Sequence, residues 1–185
     1  SQPRTRSFRA STAEKENTMR LRTLACLTLA GGACALAATG FPRRIGLTSS
    51  QADVSLPGDL LLPGANVVVD RGISIDAPAS VVWDVLGHAF EPADESTIIE
   101  IADEDHVLMR VAAPGAPEGA PASGTCVIAL LPLSPSRTLL HIRERHEASG
   151  RELALVWAGV SAESLSSLSM LRDLREACMA HAEHA

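Results

Sequence analysis

Tyrosine is absent from this chain, and three phenylalanines with two tryptophans bring aromatic residues to only 3% of its 185 positions. A core here must be filled by aliphatic side chains, and a hydrophobic content of 46% is ample for that. Lysine is nearly absent too: Lys15 stands alone, so the other 15 of the 16 basic residues are arginines. Positive charge is scarce where a folded domain is expected. Residues 51–185 carry 8 basic and 20 acidic groups, against 8 and 2 in residues 1–50. Such an acidic globular part lacks the cation density that phosphate backbones demand, which excludes nucleic acid as a partner. A nucleophile elbow, a phosphate loop, a dinucleotide fingerprint and a zinc-protease HExxH are all missing. The four cysteines form no disulfide framework. Cys26 and Cys34 fall in an apolar N-terminal stretch, Cys126 in a predicted strand and Cys178 in a predicted helix, where they read as small buried hydrophobes. The length suits one domain with a tail.

Residues 1–18 are polar, without an apolar period, and read as a disordered extension before Met19, a plausible start. An uncharged run from Thr23 to Pro42 follows, flanked by Arg20 and Arg22 on one side and Arg43 and Arg44 on the other. Its 20 residues match the roughly 20 that cross a bilayer core, so residues 19–44 read as a signal-anchor helix. The alternative is a cleaved signal peptide, with Ala35-Leu-Ala37 as the processing site. A lipoprotein signal is disfavoured, because Gly31 stands where an aliphatic residue should precede Cys34. The excess of basic residues before the run directs the domain outside the cytoplasm. Pro57, Gly58, Pro63 and Gly64 then punctuate a predicted linker over residues 45–65.

From Asn66 the pattern changes. Val67, Val69, Ile73 and Ile75 share one parity, with Asp70, Gly72 and Ser74 on the other: the period of a strand with one buried face. Asp76-Ala-Pro78 breaks it, and Val81, Val82, Val85 and Leu86 continue at helical spacing. Residues 87–96 read as loop. Thr97–Ala102 and Val107–Ala113 read as a hairpin around the acidic turn Asp103-Glu-Asp105. A Pro/Gly/Ala loop over residues 114–123 leads to a second hairpin, Gly124–Leu133 with Arg137–Ala148. The run Leu153–Val160 fits either strand extension or helix. A final helix is expected from about Ala162 to Ala182, capped by Ser161, with Leu165, Leu168, Leu171, Leu174 and Cys178 along its apolar stripe.

Three stretches resemble the START-like helix-grip superfamily (SRPBCC), in its polyketide-cyclase-like and lipid-transport-like branch. They are Ile73-Ser-Ile75 with Ala77-Pro78 and Val82-Trp83-Asp-Val-Leu86; the hairpin Thr125–Arg143; and Leu56-Pro-Gly-Asp59, which some membrane-anchored members carry before the first strand. The resemblance covers residues 45–182. It implies an α+β domain over residues 66–182, a curved antiparallel sheet packed on a long C-terminal helix, preceded here by an N-terminal apolar helix. The space between sheet and helix would be a ligand cavity. The family's usual further helix and strands after the first helix have no counterpart, which thins one wall.

On that frame Trp83 and Leu86 of the first helix, Met109 and Val111 of the first hairpin, and Leu168 and Leu171 of the last helix are expected to line the cavity. Leu140, Ile142, Glu144 and His146 share one face of the last strand, and Leu139, His141, Arg143 and Arg145 the other. Glu144 and His146 would then stand at the cavity's mouth. A buried carboxylate is costly alone, so Glu144 should find a donor in His146 or Arg71. The expected function is non-catalytic binding of a hydrophobic small molecule or lipid by a membrane-tethered domain, without cofactor or metal. Two rivals stand beside it: a cyclase-like or hydrolase-like enzyme using Glu144 and His146 as acid and base, and a trimmed domain with a collapsed cavity serving as an interaction module. Cys178, His181 and His184 have zinc-binding residue types, but their spacing turns them apart and reads as a helix end.

Overall fold

Period-two alternation places the strands, and the amphipathic stripes place the helices. The computed structural model describes residues 39–89 and 97–183. In order these form β1 (Arg44–Ile45), α1 (Ser49–Ala52), β2 (Val67–Ile75), α2 (Ala79–Ala89), β3 (Ile98–Ala102), β4 (His106–Val111), β5 (Gly124–Ser134), β6 (Arg137–His146) and α3 (Gly150–Ala182). The six strands make one sheet ordered β1-β2-β6-β5-β4-β3. Every pairing is antiparallel except that of β1, which runs parallel to β2. Asn66 closes the seam where β6 ends: its amide donates to Ala148 O at 2.8 Å and accepts from Ala148 N at 3.1 Å.

Both longer helices pack on one face of this sheet, the inner face. Ile75, Ile128, Leu130, Leu140 and Ile142 from the strands meet Val82 and Leu86 of α2 and Leu171, Leu174 and Cys178 of α3. Each such side chain contributes about 1.5–3 kcal/mol on burial. The result is an α+β helix-grip arrangement, as the alternation and the resemblance lead one to expect. The N-terminal apolar helix lies mostly outside the described residues. Its expected end does not hold, because residues 39–43 form a turn and Arg44 already opens β1.

The last helix starts earlier than its sequence indicates. It begins at Gly150 rather than near Ala162, and runs 33 residues, roughly 50 Å at the helical rise. Val156 and Val160 are buried against Val67 and Val69 of β2, with Leu153 and Trp157 packed beside them, so the short apolar run is the first part of one stripe. Ser161 is therefore not a cap; its hydroxyl donates back to Trp157 O at 2.7 Å within the helix. The guanidinium of Arg43 stands 5.1 Å over the Trp157 ring, a cation–π contact that ties the start of the domain to α3. By length and composition α3 could cross a membrane, and the residues it does bury lie against the sheet.

Residues 45–65, read from sequence as a linker, lie against the opposite, outer face. Leu56 is buried with Leu108, Val127 and Ala129, and Val54 and Leu131 pack on them. Leu47 reaches the sheet because Gly72 has no side chain: a Cβ there would sit 2.5 Å from Leu47 Cδ2 and 2.6 Å from Leu140 O. Leu56-Pro-Gly-Asp59 forms a turn in which Gly58 adopts φ 84°. Asp59 then closes it, accepting from Leu56 N at 2.9 Å and from Arg143 Nη1 at 2.8 Å. Proline and glycine mark this segment as irregular, and its few well-spaced leucines make it a cover.

Candidate functional site

A cavity of about 230 Å³ opens between α2 and the β3–β5 end of the sheet. Trp83, Leu86 and Gly87 of α2 form one wall, and Ile98 and Ile101 of β3 another. Val107 and Met109 of β4 with Ile128 of β5 make the floor. Among the described residues no charged side chain lines it. Strand alternation explains the floor: Val107 pairs with Ile128 and Met109 with Cys126, so all four point to the inner face. Helical spacing explains the wall, since Trp83, Leu86 and Gly87 lie within one turn of α2.

Beneath the helices on the same inner face sits a buried polar cluster. Arg71 Nη1 donates to Glu144 Oε1, and His146 Nε2 lies 3.5 Å from Glu144 Oε2. Arg71 is 3% exposed and His146 1%. His146 fits only because Gly124 faces it on β5, where a Cβ would lie 2.3 Å from His146 Nδ1. Burial alone would raise the Glu144 carboxyl's pKa, but the neighbouring His146 and the Arg71 guanidinium together hold it below its ordinary value. Cys126 is the cross-strand partner of Glu144. Burial first, and then the Glu144 charge, push its thiol up to about 12, with Arg71 acting against them. A thiol held so high stays protonated at neutral pH and is no nucleophile.

The residues expected from sequence fall into three groups. Trp83, Leu86 and Met109 line the cavity. Leu140, Ile142 and Leu171 are buried in the packed core next to it, with Val111 half-buried at its border and Leu168 half-buried on α3. Glu144 and His146 lie on the inner face, as the alternation requires, and Arg71 is the donor that Glu144 finds. Sequence reasoning missed Gly87, Ile98, Ile101, Val107 and Ile128 as lining residues. The parity of Val107 with Met109 carried that signal; the edge strand β3, with Ile98 half-buried and Ile99 exposed, carried none.

Of the weaker motifs, the acidic turn holds: Asp103-Glu-Asp105 connects β3 to β4, with Glu104 at φ 59° and Asp105 O accepting from Leu130 N at 2.7 Å. Cys178 is fully buried, whereas His181 pairs with Asp84 at 3.0 Å on the surface, and His184 lies outside the described residues. Among the described residues no three His, Cys, Asp or Glu side chains are grouped to hold a metal ion.

No family model matches the chain, and no curated protein matches it. Solved structures do show distant similarity. An AHSA1-like protein from Rhizobium etli shares 17% identity at a TM-score of 0.43, over 60% of this chain and 81% of that one. A protein from Thermobifida fusca shares 17% at 0.36, over 55% and 89%. The ZhuI aromatase/cyclase from Streptomyces sp. R1128 shares 18% at 0.27, over 63% and 93%. At such scores these likenesses add nothing to the strand order and helix packing, which define the helix-grip architecture by themselves.

Proposed function

We propose that the domain binds a small apolar molecule in the cavity between α2 and β3–β5 and performs no chemistry on it. The observation that carries this reading is the cavity's wall, built from Trp83, Leu86, Ile98, Ile101, Val107, Met109 and Ile128 with no charged group among the described residues. Apolar concave sites of this kind gain affinity from burial of ligand surface. Size narrows the ligand. About 230 Å³ exceeds the roughly 150 Å³ that accepts benzene and falls short of the ~300–1,000 Å³ of drug-sized sites. A molecule of one or two rings, or a short acyl chain, matches; a diacyl lipid does not. The apolar stretch Thr23–Pro42 would tether the domain to a membrane.

An apolar naphthalene-based fluorescent probe tests the site. Ile128→Trp, which fills the floor, should abolish probe binding while cooperative melting persists, as should Val111→Asp where it still folds. Probe binding to Ile128→Trp at wild-type strength would refute the reading. A second reading is acid–base catalysis by Glu144 and His146, favoured by their proximity on the inner face. It expects Glu144→Gln and His146→Ala to remove function outright, where carriage expects a modest loss of affinity.

A further inference from the structure

Arg71 uses its guanidinium unevenly. Nη1 donates to Glu144, while Nε and Nη2 are buried without a hydrogen-bond partner among the described residues. These two donors lie side by side along one edge of the guanidinium plane, the edge that meets a carboxylate in a two-bond fork. Buried N–H groups of a cation are costly to leave unpaired, so an arrangement that isolates such a pair calls for an acceptor. His146, on the other side of Glu144, adds two ring nitrogens that are also buried without a hydrogen-bond partner.

The register connects this edge to the cavity. Arg71 pairs with Ile142, Ile142 with Ile128 and Ile128 with Val107, so one row across the inner face runs from the arginine to the cavity floor. The guanidinium already reaches over β6 to meet Glu144. About one strand spacing, ~4.8 Å, then separates β6 from the strand that carries Ile128. The cavity's lining stops at Ile128 and does not include Arg71, so a molecule whose apolar body fills the cavity must reach past Ile142 to bring a polar head to the guanidinium.

We infer that Arg71 recognises the carboxylate of a small aryl or short-chain carboxylic acid whose apolar body fills the cavity. This rests on the apolar-site reading above and names the ligand's head group. Glu144 holds the guanidinium in place through Nη1 and leaves the Nε–Nη2 edge for the acid.

Calorimetric titration of the full chain with 2-naphthoate and with 2-naphthalenemethanol, near neutral pH, tests it. The acid should bind about tenfold or more tightly than the alcohol. Arg71→Lys retains a cation for Glu144 but not the fork, and should cut that preference to within about threefold. Should Arg71→Lys fail to fold, Arg71→Met combined with Glu144→Gln removes both charges and should erase the preference in the same way. Equal binding of acid and alcohol by the wild type overturns the inference and leaves the apolar site standing. A preference that survives the Arg71 variants overturns it as well. Binding of neither compound removes the apolar-site reading and this inference together.

Discussion

Along β2 and β6, adjacent residues alternate between two polar clusters on opposite faces of the sheet, and the clusters differ in how fully they are paired. On the outer face Asp70 Oδ1 accepts from His141 Nε2 at 2.8 Å and from Arg143 Nε at 2.7 Å. Arg143 spends its remaining nitrogens on Asp59, Val54 O and Ala52 O. The orphans there, His141 Nδ1 and Arg145 Nε, belong to groups bonded elsewhere. On the inner face, among the described residues, the Arg71 side chain makes a single hydrogen bond and that of His146 none. A more fully paired buried network specifies a structure, here the seating of residues 45–65 on the sheet. The less fully paired one, near an apolar cavity, has more donors to spare. The same residue types, one position apart, thus serve the scaffold on one face and, on the proposal above, recognition on the other.

The most disruptive way to test that contrast is to break the outer cluster. Arg143→Leu strips Asp59 and Asp70 of their shared cation, with both carboxylates largely buried. Removing one partner of a buried pair costs about 3–5 kcal/mol, and chemical denaturation should show a loss of that size. A loss below about 1 kcal/mol would mean an effectively solvated cluster, like a surface pair. Next in size comes the roof of the inner face. Leu171 is 1% exposed, so Leu171→Ala should cost about 2–5 kcal/mol. Half-buried Leu168 should cost less, and an unchanged melting temperature for Leu171→Ala would mean that α3 is undocked.

Which of these features could be read from the sequence follows from their range. Alternation is local, so β2, both hairpins and the inward parity of Glu144 and His146 were legible, as was the handover to α2 at Asp76-Ala-Pro78. The first half of α3 was not, because Leu153–Val160 is too short to separate strand from helix without Val67 and Val69, its distant partners. Nor was the outer cover. Its anchor joins Asp59 to Arg143 across 84 positions, and the Pro/Gly composition of residues 45–65 speaks only of irregular backbone. The cavity was half legible: Trp83, Leu86 and Met109 follow from amphipathic faces, whereas Ile98 and Ile101 lie on an edge strand with no clean alternation. The donor for Glu144 was open between Arg71 and His146; the geometry makes Arg71 the hydrogen-bond donor and leaves His146 Nε2 3.5 Å from the other carboxylate oxygen.

A smaller effect should distinguish the clusters by pH. The Glu144 pKa is depressed in the folded protein, since His146 and Arg71 outweigh the burial that would raise it. A carboxylate with a depressed folded pKa contributes stability that is present above its unfolded value and lost as pH falls through the folded one. The stability gap between wild type and Glu144→Gln should therefore be level near neutrality and shrink on acidification below the ordinary carboxylate range. Denaturation of both proteins across that range measures it. A gap that widens in acid would mean that Glu144 is not held ionised by its neighbours.

The smallest expected effect is a reaction that does not occur. Cys126 lies under Glu144 with its thiol pushed up to about 12, by burial first and then by the Glu144 charge, with Arg71 opposing. At pH 8 its thiolate fraction is about a thousandfold below that of an ordinary cysteine, and alkylation proceeds through the thiolate. Iodoacetamide followed by peptide mass mapping should find Cys126 unmodified in the folded chain and modified once urea unfolds it. Glu144→Gln removes one of the two influences that raise the thiol, so it should speed labelling slightly without restoring an ordinary rate, because burial remains. If Cys126 in the folded wild type reacted as fast as in urea, the inner face would be open to water at Glu144. Arg71 would then have solvent for its free edge, and the difference between the two clusters would be one of exposure rather than of unmet pairing.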